Sequence, residues 1–132
     1  MKFILFYHQD TSKIGESFKN SIIENWASVE TEIFHAIDHL ENRMKNRRNF
    51  FENEVYMILV DSKRRLMELI AAGKAMEDKT LILILPEESE EMLRLAVQLY
   101  PRFITGLSDH YRDLHFVLRQ MTNNLCFYRS LS

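Results

Sequence analysis

Three uninterrupted apolar runs constrain this chain most: Phe3-Ile4-Leu5-Phe6-Tyr7, Val55-Tyr56-Met57-Ile58-Leu59-Val60 and Leu81-Ile82-Leu83-Ile84-Leu85. Five or six residues is strand length, and a strand with no polar alternate has no face to give to water. Strands of that kind belong to parallel sheets covered on both sides. Between the runs lie segments of helical period. Ile14, Phe18, Ile22 and Trp26 recur every four residues, and Leu66, Leu69, Ile70, Gly73 and Met76 share one side of a second helix. Parallel neighbours need such crossovers, so the chain reads as alternating strands and helices.

Two weaker strands complete the set. Val29-Glu30-Thr31-Glu32-Ile33-Phe34 alternates apolar and charged residues, the mark of a partly exposed edge, and Phe103-Ile104-Thr105 is short. The order is therefore βαβαβαβαβα. Placing the three apolar strands centrally predicts a single three-layer α/β domain, with a five-stranded parallel sheet in the order 2-1-3-4-5 and helices on both faces. Thr11 or Ser12 is expected to cap the first helix. Asp38 with Glu41 reads as a capping box, and Ser62 caps the third helix. Pro86 ends the fourth strand, and Glu87, Glu88, Glu90 and Glu91 crowd the next helix start, where negative charge suits the macrodipole. Leu114, Val117, Leu118, Met121 and Leu125 form the stripe of the last helix. Residues 1–125 make the domain, and 126–132 extend that helix as a tail with Phe127 and Tyr128.

Composition narrows the function classes. With 17 basic and 19 acidic residues the net charge is −2, which offers no global attraction to nucleic acid or anionic membrane. The single Cys126 excludes an intramolecular disulfide and suits a reducing compartment, so a cytoplasmic location is expected. No apolar stretch approaches the roughly 20 residues of a membrane span, and the first apolar run is too short for a signal peptide.

Open α/β sheets do their chemistry at the carboxyl ends of the strands. There the first strand offers His8, Gln9 and Asp10, and the third Asp61 and Ser62. The fourth offers Pro86 and Glu87, and the fifth Gly106 and Leu107. In element order, strand hydrophobicity and the aspartate ending the third strand, residues 2–125 resemble the receiver domains of two-component response regulators. The resemblance implies that Asp61 stands where that family accepts a phosphoryl group, with Mg²⁺ held by Asp61 and an acidic pair after the first strand. It also implies a partner surface on the fourth helix, fifth strand and fifth helix. Here the acidic pair falls on His8 and Gln9, which leaves Asp10 the nearest acid. The hydroxyl position falls on Leu85 or Pro86, the lysine position on Gly106, and the following proline on Leu107.

Those departures remove the groups that stabilise charge on a transferring phosphoryl. The expectation is thus a degenerate receiver-like signalling domain that works through protein–protein contact, without efficient phosphorylation of Asp61. Its partner is a protein or a second copy, met through Tyr100, Phe103, Tyr111 and Phe116. Asp61 has a plainer reading too, as a helix cap or a hydrogen-bonded carboxylate at a strand–helix turn. Two alternatives stand beside this one. A working phosphoacceptor would use Asp61, with Asp10 as second Mg²⁺ ligand. A flavodoxin-like protein would bind FMN or a nucleotide at the loop from His8 to Ser17; bulky Lys13 and Ile14 and the solitary Gly15 oppose the close backbone approach a phosphate needs. His35 with His39 and His110 with His115 do not share faces suited to a metal. The basic residues Arg43, Lys45, Arg47 and Arg48, followed by Phe50 and Phe51, read as a solvated helix face whose aromatics turn inward.

Overall fold

The computed structural model describes residues 1–46, 53–85, 89–107 and 111–131. Its strands are β1 (Lys2–Phe6), β2 (Glu30–Phe34), β3 (Glu54–Leu59), β4 (Thr80–Ile84) and β5 (Phe103–Thr105), all parallel, in the order β2-β1-β3-β4-β5. The helices α1 (Ser12–Asn25), α2 (Ile37–Lys45), α3 (Lys63–Ala71), α4 (Glu90–Ala96) and α5 (Arg112–Leu131) alternate with them. The expected α/β domain is present. Among the described residues no helix is long and apolar enough to cross a membrane.

The pleat sorts each central strand into two cores. Ile4, Phe6, Tyr56, Ile58, Leu81 and Leu83 face Leu40 and Met44 of α2, Leu66 and Leu69 of α3, and Met92 and Ala96 of α4. Phe3, Leu5, Val55, Met57, Ile82 and Ile84 face Phe18 and Ile22 of α1 and Leu114 and Leu118 of α5. Every residue of β1 is buried, whereas β2 and β5 are only partly covered, which fits their edge positions.

Several helix boundaries differ from the sequence expectation. Ser62 caps α3 as expected, accepting the Arg65 backbone N–H at 3.2 Å, and Ser89 caps α4 by accepting from Met92 at 3.1 Å. Caps of this kind contribute about 1 kcal/mol each. Asp38 does not cap α2. The helix starts at Ile37, with Ala36 in the cap position, because Ile37 packs on the core below it. The Asp38 carboxylate instead accepts the N–H of His39 at 2.9 Å. Thr11 occupies the cap position of α1, but its hydroxyl donates to the His8 carbonyl at 2.7 Å and leaves the helix uncapped by a side chain. The stripe expected to run through Met76 breaks at Ala72, and Gly73–Met76 continues as a 3-10 turn that still buries Met76. Arg47, Arg48, Phe50, Phe51, Pro86, Glu87, Glu88 and His110 lie outside the described residues.

Candidate functional site

Asp61 follows β3 at the sheet's carboxyl edge, as expected. Its side chain is 17% exposed, and its Oδ1 accepts from Arg65 Nε at 3.1 Å. Arg65 stands one turn into α3, the spacing at which side chains meet on a helix surface. Its Nη1 donates to Glu68 Oε2 at 3.1 Å, so the guanidinium is shared between two carboxylates. Lys63 and Glu91 pair across the gap from α3 to α4. The neighbouring strand end is self-contained. Gln9–Thr11 forms a 3-10 turn, in which His8 Nδ1 accepts the Asp10 N–H at 3.2 Å and lies 3.3 Å from the Asp10 carboxylate. Gly106 ends the fifth strand, just past Thr105, whose carbonyl accepts from Leu85 N–H at 2.8 Å. Of the expected pocket, His8, Gln9, Asp10, Asp61 and Gly106 are at this edge; Pro86 and Glu87 belong to the undescribed segment.

Mg²⁺ usually takes one or two carboxylates with water and phosphate oxygens. Asp61 is committed to a guanidinium, and Asp10 is 73% exposed beside its own turn's His8. Among the described residues, no three His, Cys, Asp or Glu side chains gather in a metal-binding arrangement. These residues therefore do not fit a receiver-type Mg²⁺ centre. In the loop before α1 two features weigh against a close phosphate approach. Its Thr11 hydroxyl is spent on His8, and Gly15 makes room for the Tyr7 ring, whose Cδ2 would lie 2.0 Å from an added Cβ.

Three polar clusters escaped the sequence reading. At the first, Tyr7 donates to Glu16 Oε1 at 2.9 Å and meets the His35 ring edge-on at 4.6 Å. Burial, then the Glu16 bond, pushes the Tyr7 phenol up to about 12. The Lys19 ammonium 2.5 Å away, then Tyr7, holds the Glu16 carboxyl below its usual range.

At the second, buried His115 joins Ser21 Oγ at 2.8 Å and Trp26 Nε1 at 3.2 Å. An indole N–H only donates, so Nδ1 is the acceptor and the neutral ring carries its proton on Nε2. Nε2–H then donates to Ser21. The pair resembles a nucleophilic dyad, but the nitrogen facing the hydroxyl is already protonated and cannot act as its base.

The third lies at the opposite, amino edge of the sheet. Arg43, expected on a solvated face, is only 12% exposed. Its Nε and Nη2 grip Glu32 at 3.1 and 2.9 Å, and it also pairs with Glu54. Lys2 joins from β1, 3.3 Å from Glu32 and 3.6 Å from Glu30, and the Tyr56 hydroxyl donates to Glu54 at 3.3 Å. The only signal in the sequence was an acidic residue or a lysine at the start of three adjacent strands.

Of the four aromatics expected at a partner surface, Tyr100 and Phe116 are exposed large side chains. Tyr100 is 88% exposed with its backbone at φ 51°, a region disfavoured for a tyrosine, and Phe116 is 58% exposed. Phe103, Phe116, Val117 and Met121 line a groove of about 360 Å³ between β5 and α5, with Arg102 and Asp113 beside it. Tyr111 is a correction. It is buried between α1 and α5, its ring 6.0 Å from Phe18 and its hydroxyl 3.4 Å from Ser17 Oγ, because a φ of 63° turns the chain inward before α5. A second hollow of about 420 Å³ lies between α2 and the end of α3, bordered by Lys45, Lys74 and Lys79 as well as Glu41 and Asp78. Lys45 ends α2, and Lys74 lies in the 3-10 turn that follows α3. Comparison of the chain with protein-family models, curated proteins and solved structures returns no match.

Proposed function

We propose that this chain is a receiver-like signalling domain of the cytoplasm that binds a protein partner and does not take up a phosphoryl group efficiently on Asp61. The observation that carries the reading is the Asp61–Arg65 pair at the carboxyl edge of a 2-1-3-4-5 sheet. A phosphoacceptor carboxylate must be free to attack, and its phosphoryl oxygens need cationic support. Here the nearest cation is bound to the would-be nucleophile and to Glu68, and the position that supplies a lysine in receivers is Gly106.

The test is the intact mass of the protein after incubation with acetyl phosphate and Mg²⁺. Wild type and Asp61→Asn are both expected to stay unmodified. An adduct of about 80 Da, one phosphoryl group, on wild type and absent from Asp61→Asn would overturn the non-phosphorylating part of the reading.

The groove between β5 and α5 supports the partner-binding part. Exposed aromatic side chains around an apolar hollow are the usual anchors of a protein interface. Phe116→Asp is expected to weaken association at least tenfold in analytical ultracentrifugation, alone or with a captured partner, while leaving the thermal midpoint unchanged. Association undiminished in a folded Phe116→Asp would remove this groove from the reading.

A further inference from the structure

We infer that His115, Trp26 and Ser21 form a proton-operated latch between the end of α1 and α5. Trp26 is the cap residue of α1, and its ring packs edge-on against Phe3 at 5.7 Å. Its indole N–H reaches across to His115 Nδ1 at 3.2 Å, and His115 Nε2 reaches back to Ser21 at 2.8 Å. The two bonds join residues 89 and 94 positions apart, so they tie one helix to the other. Together they require the neutral tautomer with its proton on Nε2; the Nε2–H bond to Ser21 survives protonation, so the Trp26 bond is the part that a proton breaks. A proton added at Nδ1 sets two N–H donors against each other and leaves the indole without its acceptor. The latch therefore has one closed state, with neutral imidazole, and acid opens it.

The surroundings support this. His115 is 8% exposed, and the charge that acts on it is Arg119, one turn along α5. From α1 the Ser21 hydroxyl and the Trp26 indole bond to it, and no carboxylate among the described residues forms an ion pair with it. Burial, then Arg119, holds the imidazole below its usual value. The sign follows from linkage. The unfolded chain binds the proton more readily than the native one, so this contribution to stability is full above about pH 6.5 and falls as the pH drops through and below that value. The latch is independent of any reading of Asp61.

Trp26 is the one tryptophan of the chain, so its signal is unambiguous. The experiment is its fluorescence against pH, with far-UV circular dichroism recorded on the same samples. Expected is a one-proton drop and red shift in emission, centred below about pH 6.5 with the dichroism unchanged. His115→Asn should abolish the transition, and His8→Asn and His35→Asn should keep it. In wild type the Trp26 indole proton resonance should move with the same midpoint, which tests the latch even if His115→Asn fails to fold. A transition that survives in folded His115→Asn, a wild-type indole signal that does not titrate, or an emission change that merely tracks loss of helix would overturn the inference.

Discussion

Gly15→Ala is expected to destabilise the fold by about 2–3 kcal/mol, although alanine is the better helix former. Position 15 lies within α1, where the exchange by itself gains about 1 kcal/mol of helix propensity. Against that gain, the added Cβ would stand 2.0 Å from Tyr7 Cδ2 and 2.4 Å from Cγ. Those atoms belong to a stiff ring near its root, not to the end of a flexible chain. Tyr7 cannot easily yield. Its N–H bonds to the Phe34 carbonyl, its carbonyl to His35 Nδ1, and its hydroxyl to Glu16. Either α1 lifts from the sheet or the ring leaves its seat, and both open the core of Phe3, Leu5 and Phe18. Equilibrium urea unfolding of Gly15→Ala reads the loss. A double-mutant cycle isolates its cause: added to Tyr7→Leu, the same substitution should become neutral or stabilising. A Gly15→Ala protein as stable as wild type would show that the ring contact does not govern this position.

Arg43→Met should cost about 2–4 kcal/mol near neutral pH, although this residue sits in what reads as a solvated basic run. Methionine keeps the length of the stem and removes the guanidinium. Glu54, 13% exposed, and Glu32, 32% exposed, then lose the cation between them, while the Lys2 ammonium stays beside Glu32 and the Tyr56 hydroxyl beside Glu54. The range stands below that of a fully buried pair because Glu32 is partly screened by water. The pH dependence is specific. The Arg43 bond, then Lys2, holds the Glu32 carboxyl below its usual range against the opposing effect of burial. A carboxylate depressed in the native state contributes stability above its unfolded value, about pH 4.3, and loses it as the pH falls further. The difference between wild type and Arg43→Met should therefore shrink below about pH 4. Thermal unfolding at pH 7 and at pH 3.5 measures it, and an equal difference at both would detach Glu32 from the effect.

The contrast between the Asp61 pair and the Arg43 cluster explains why one was legible and the other was not. Asp61 and Arg65 are four residues apart on one strand–helix turn, so their encounter is local once α3 forms. Arg43 meets Glu32 and Glu54, each 11 residues away and on a different strand. Whether they converge depends on β2 and β3 flanking β1 with Lys2 level with Glu30 and Glu54. Tyr111 shows the same limit. An aromatic before the last helix reads as a surface anchor until a left-handed backbone turns it under α1. Asp38 shows a smaller one, since a core contact of Ile37 starts α2 before the best capping residue.

The sequence by itself determined the α/β class, the strand order and the placing of Asp61 and His8 at one edge. A strand sealed on both faces must be written as a continuous apolar run, and an edge strand need not be, so burial is recorded residue by residue along the chain. Only the tertiary structure decided what the polar groups do. Arg65 holds Asp61, Tyr7 claims the space beside Gly15, and His115 spends both nitrogens between α1 and α5. Apolar burial is nondirectional and readable from pattern. A hydrogen bond or ion pair needs two particular atoms within about 3 Å, and strand register and helix seating alone set which atoms those are.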